Sequence, residues 1–99
     1  MSVQHLVVLK FKPDTPAAQI AELFAALERL RGVIPGIDYY AGGPYASPEG
    51  LHRGFTHGFL MTFRDAAARD AYLIHPAHEQ VKRDFLPGVE DVVAFDFEA

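Results

Sequence analysis

Hydrophobic and polar positions alternate through residues 3–11, with Val3, His5, Val7, Leu9 and Phe11 on one face of a period-two strand and Leu6 and Val8 on the other. Both faces of this strand are therefore sticky. Pro13, Asp14 and Thr15 break it, and Thr15 followed by Pro16 predicts an N-cap with proline at the first helical position. Ile20, Leu23, Phe24, Leu27 and Leu30 then recur at helical steps, predicting a helix over 16–31 that Gly32 closes in the left-handed conformation. A turn at 33–36 leads to a short strand at 37–41, and the Gly, Pro and Ser residues crowded into 42–50 read as a surface loop. From Phe55 the alternation returns in its clearest form, with Phe55, His57, Phe59, Met61 and Phe63 on one face and Thr56, Gly58, Leu60 and Thr62 on the other. Asp65 is placed to cap a helix over 66–73. Pro76 disfavours helical geometry at His75, so the pattern breaks there and restarts through about Phe85. A last strand at 89–98 carries Val93, Phe95 and Phe97 on one face and Val92 and Ala94 on the other.

The order β-α-β-β-α-β matches the split βαβ, ferredoxin-like arrangement of the α+β class, with both helices on one face of an antiparallel sheet. Strands 1 and 3 are expected side by side and parallel in its middle. Leu6 and Val8, together with Val92 and Ala94, are assigned to the face without helices, where a monomer would expose an apolar surface. A second copy is the simplest cover, which predicts a homodimer formed through the sheet faces with an ordinary interface of roughly 800 Å² per partner.

At 99 residues the chain supports one domain, 1–99, because two cores would each be marginal. Hydrophobic residues make up 49% and aromatic ones 12%, enough for a packed core. The net charge of −4, without a basic cluster, speaks against nucleic acid or an anionic membrane as the main partner and leaves a small molecule or a protein. The absence of cysteine removes disulfides, thiolate nucleophiles and Cys-based zinc sites, and fits a cytoplasmic location. The N-terminal apolar stretch has no cationic leader and is interrupted by Lys10 and Lys12, so it reads as neither signal peptide nor spanning helix.

Five histidines are the candidate chemistry. His5 and His57 each stand early in a central strand, in phase with its large apolar side chains, and are expected to line one cavity on the helix-covered face. The helix break brings Tyr72, His75 and His78 to the same side. His78 falls in the first turn of a helix that Pro76 begins, where the positive end of the helix dipole opposes protonation. A neutral imidazole there can act as general base near pH 7, and Tyr72 can donate a hydrogen bond to a developing enolate or alkoxide. The competing reading is that each histidine merely satisfies backbone groups in a half-buried site; it weighs most on His52, and His75 reads mainly as a cap. Clustered imidazoles also resemble a metal site, but the only carboxylate at ligand spacing, Glu79, points elsewhere from its adjacent helical position, so no metal is expected. Asp65, Asp70 and Asp84 read as caps or solvated charges. No phosphate loop, dinucleotide fingerprint or Ser-His-Asp series is present.

The segments HLVVLKFK, RGFTHGFLMTF, DAYLIHPAH and VVAFDFE resemble the stress-responsive dimeric α/β-barrel (Dabb) family over essentially the whole chain. The resemblance implies a homodimer whose two four-stranded sheets form a shared barrel with helices outside. It also implies, by likeness to a plant member that closes a linear polyketide thioester by aldol condensation, a cofactor-free cyclase or lyase using Tyr72 and His78. His5 and His57 match pocket histidines of that member, and Phe24 and Phe59 are expected to line the substrate pocket. The alternative is a stress-responsive dimer that binds a ligand or serves a structural role without catalysis. The loop GGPYASPEGLHR carries no catalytic signature.

Overall fold

A computed structural model describes residues 1–99. Strand β1 (Val3–Phe11) is followed by helix α1 (Ala17–Arg29), strands β2 (Ile37–Pro44) and β3 (His57–Phe63), helices α2 (Ala66–Leu73) and α3 (Pro76–Phe85), and strand β4 (Val89–Glu98). The sheet order is β2-β3-β1-β4, and every neighbouring pair is antiparallel. The fold is thus ferredoxin-like, as expected, but a first correction is that β1 and β3 run antiparallel. The reason is topological. Helix α1 carries the chain across so that β2 runs the same way as β1, and β3 returns beside β2 and fills the gap between them.

In β1 the inward positions Val3, His5, Val7 and Leu9 are all buried, and in β3 Phe59, Met61 and Phe63 are. Leu23, Ala26, Leu27 and Leu30 of α1 and its terminal 3₁₀ turn close over them, with Ala68 and Tyr72 of α2. The start of α1 differs slightly from expectation. Pro16 itself occupies the N-cap without a side-chain bond, while the Thr15 hydroxyl donates to the Gly88 carbonyl at 2.8 Å and ties the helix start to the turn before β4.

Gly32 ends a 3₁₀ turn and is not left-handed; the left-handed glycine of this connection is Gly36, with φ +90°. A Cβ at Gly36 would stand 2.6 Å from the Ala68 side chain, so backbone conformation and space both demand glycine. Gly36→Ala is expected to destabilise the fold by about 1–3 kcal/mol, read as a lower urea midpoint.

The second correction concerns β4. Leu6 pairs with Phe95 and Val8 with Val93, whereas Val7 pairs with Ala94 and Leu9 with Val92. Val92 and Ala94 therefore face the helices, and the uncovered face carries Leu6, Val8, Val93, Phe95 and Phe97. Both alternating sets of this edge strand are apolar, so periodicity alone had no preference between them. Asp96 shares the inner face and finds partners there, described below.

Candidate active site

Between the sheet and helices α1 and α3 lies a predominantly apolar cavity of about 330 Å³, within the range of small-molecule sites. Val7, Leu9 and Phe59 of the sheet, Leu23 and Leu27 of α1, and Val81 and Phe85 of α3 form most of its wall, and Val92 and Ala94 of β4 complete it. Besides Lys82, three groups with chemistry enter this wall: His5 from β1, Tyr72 from the last turn of α2 and His78 from the first turn of α3.

The helix break is what joins the last two. Asp65 caps α2 by accepting from the Ala68 amide at 2.8 Å, and His75 caps α3 by accepting from the Ala77 amide through Nδ1 at 3.0 Å, with Pro76 in the first turn. Both are structural caps, as the sequence indicated. The reversal lays the His78 ring on that of Tyr72, with centroids 4.1 Å apart and planes 27° apart. Tyr72, only 1% exposed, also packs against Phe63 at 5.0 Å and His5 at 5.9 Å.

Burial lowers the pKa of His78 below the ordinary histidine value, assisted by Lys82 and His5, against an opposing contact with the Leu73 carbonyl. That carbonyl lies 3.4 Å from Nδ1 and supports the tautomer with its proton there, leaving Nε2 as the basic atom. Burial moves the Tyr72 phenol the other way, well above its ordinary value, so it stays protonated and able to donate.

His5 is held by a group that sequence reasoning did not single out. Its Nδ1 stands 2.6 Å from Asp96 Oδ1, and Arg69 Nη1 donates to Asp96 Oδ2, also at 2.6 Å. Burial opposes ionisation of Asp96, but the hydrogen bonds from His5 and Arg69 outweigh it and hold the carboxyl below the usual range. An ionised carboxylate only accepts, so Nδ1 of His5 carries a proton and Nε2 is the atom left for a ligand. The available signal was a lone charge in phase with Val92 and Ala94, which becomes readable only once that face is known to point inward.

His57 and Phe24, expected at the same wall, are elsewhere. Because β1 and β3 are antiparallel, His57 pairs with Leu9 rather than His5, about 13 Å further along the strand at ~3.3 Å per residue. It keeps to the helix-covered side and packs against Phe11 at 5.3 Å and Phe24 at 5.7 Å. It borders a separate groove of about 370 Å³ with Tyr45, His52 and Phe55, where Tyr45 and His52 stack at 3.7 Å. Asp70 pairs with Arg69 at 2.8 Å and Asp84 accepts from Gln80 at 2.8 Å, both at the surface. No three His, Asp or Glu side chains converge as a metal-ligand set, and no helix is long and apolar enough to cross a membrane.

A four-stranded ferredoxin-like sheet with helices on one face, and an apolar cavity beside a stacked Tyr-His pair, is an arrangement of the α/β-barrel type. The chain belongs to the stress-responsive A/B barrel domain (Dabb) family, whose profile matches residues 3–99. It is similar to olivetolic acid cyclase of Cannabis sativa, 32% identical over 98% of this chain and 96% of that protein. It is equally similar to the stress-response A/B barrel domain-containing protein HS1 of Arabidopsis thaliana, 32% identical over 96% of this chain and 87% of that protein. Among solved structures, a dimeric ferredoxin-like protein of unknown function from Jannaschia superposes with a TM-score of 0.89 at 29% identity, covering all of both chains.

Proposed function

We propose that this chain is a homodimer whose cavity binds a small hydrophobic carbonyl compound and acts on it without cofactor, in a cyclase or lyase reaction of aldol type. The observation that carries this reading is the Tyr72-His78 stack in the wall of the apolar cavity. In the reaction, Nε2 of neutral His78 takes a proton from the carbon beside the carbonyl, and the Tyr72 hydroxyl donates to the oxygen as it gains negative charge. Carbon-carbon bond formation then consumes the enolate, and the proton returns from His78. The apolar wall excludes water that would otherwise quench the enolate. His5, oriented by Asp96, offers a second polar contact for the substrate. Likeness to olivetolic acid cyclase supports this class of reaction.

The uncovered sheet face supports a dimer: Phe95 is 61% exposed and Leu6, Val93 and Phe97 between 41% and 49%. The dimeric Jannaschia relative supports it.

The reading is tested by assaying linear polyketide thioesters and simpler β-dicarbonyl compounds across pH. Because His78 must be neutral and its pKa is depressed, kcat/KM should rise with pH through an acid limb centred below about 6.5 and then stay level. The raised Tyr72 pKa places loss of the donor above pH 10, so no alkaline limb should appear below that. An acid limb at or above pH 7 would remove His78 as the base.

A further inference from the structure

His78, Val81, Lys82 and Phe85 stand at helical steps on one face of α3, and all four line the cavity. Val81 and Phe85 suit an apolar wall and His78 belongs to the proposed chemistry. Lys82 is different, because no other Lys, Arg, Asp or Glu enters the wall. Its side chain is 41% exposed and its ammonium meets Glu79 Oε1 at 2.7 Å. A lysine so placed lays its methylene stem along apolar surface and keeps its charge at the rim.

Glu79 does not use up that charge. The ammonium has three donors, and an exposed pair of this spacing is weak enough to exchange or share partners. Two further carboxylates, on β4 and α3, are engaged elsewhere, Asp96 by His5 and Arg69 and Asp84 by Gln80. On a chain of net charge −4, Lys82 is thus a local positive point at the mouth of an apolar cavity.

We propose that the cavity selects an amphipathic carboxylate, with an alkyl or acyl chain inside and the carboxylate at the rim on Lys82. This deepens the proposed function and rests on the cavity being the ligand site: the substrate class narrows to an oxo acid whose carbonyl reaches Tyr72 and His78 while its acid group stays outside. At the ~30 Å³ that a water-sized group occupies in a liquid, about 330 Å³ holds on the order of ten non-hydrogen atoms, a chain of medium length.

The test is NMR titration of the full chain with octanoate and with methyl octanoate, which share the apolar body and differ in charge. Neither ligand reacts, so the outcome is independent of turnover by the Tyr-His pair. Octanoate should bind more tightly than the ester, perturb the Val81 and Phe85 amides, and weaken as salt is raised. Lys82→Met keeps the stem and should raise the octanoate Kd about fivefold, the upper end for an exposed pair, with little change for the ester. Glu79→Gln frees the ammonium and should tighten octanoate. Equal binding of acid and ester by the wild type, an unchanged octanoate Kd in Lys82→Met, or no binding of either ligand would overturn the proposal. Acid selectivity without turnover of any carbonyl substrate would leave it standing and defeat the catalytic reading alone.

Discussion

Phe95→Asp is expected to convert the protein from a dimer into a folded monomer of 11.0 kDa at micromolar concentration. Phe95 sits opposite Leu6 on the sheet face that no helix covers and is 61% exposed in the single chain, so within the protomer the substitution removes little beyond its contacts with Leu6 and the Phe97 ring. Within a sheet-to-sheet interface the new carboxylate is buried without a partner, and its two-fold mate doubles the effect. An ordinary interface of about 1,600 Å² in total does not survive two such charges. Sedimentation velocity and far-UV circular dichroism together decide the matter. A wild type that already sediments as a monomer would sink the dimer, and an unchanged dimer in the variant would place the interface on another surface. Val8→Asp, on the same face, serves as the second probe, although it is half-buried and carries more risk to the fold.

His78→Ala is expected to abolish most turnover, by about 10²–10⁴-fold in kcat, the usual contribution of a positioned general base. Tyr72→Phe is expected to lower kcat by about 10²–10³-fold, the loss associated with one donor to a developing oxyanion. The two substitutions differ usefully in their structural effects. Tyr72→Phe keeps the buried ring that packs against Phe63 and His5 and removes only the hydroxyl. His78→Ala deletes a ring at the cavity wall but leaves the cap of α3 intact, because His75 supplies it. KM should change less than kcat in both, since the apolar wall and not the pair provides most of the ground-state binding. Turnover that survives both substitutions would take the pair out of the mechanism. No turnover of any carbonyl compound by the wild type would favour the reading of a stress-responsive binding or structural dimer.

The local elements were legible in the amino-acid sequence because each rests on interactions within a few residues. Period-two alternation marked β1 and β3, helical spacing marked α1, and Asp65 and the His75-Pro76 pair marked the starts of α2 and α3, since capping and proline sterics act over a single turn. Tyr72 and His78 were legible for the same reason: one break separates them, and its geometry brings their rings together. The inner face of β1 was readable from its alternation, and with it the placement of His5.

The relations among strands were decided only by the tertiary structure. Whether β3 runs with or against β1 depends on how α1 crosses the sheet, and that direction alone set His5 and His57 about 13 Å apart along the strand and divided one expected cavity into a cavity and a separate groove. The face that β4 turns inward was open while both of its alternating sets were apolar; a one-residue slip in pairing exchanges them completely. The register with β1 resolved it, and in doing so delivered Asp96 to His5, turned Val92 and Ala94 into cavity wall and left Phe95 and Phe97 outside. A period-two pattern specifies two faces but does not label them. The label comes from the helices, which bury one face and leave the other uncovered.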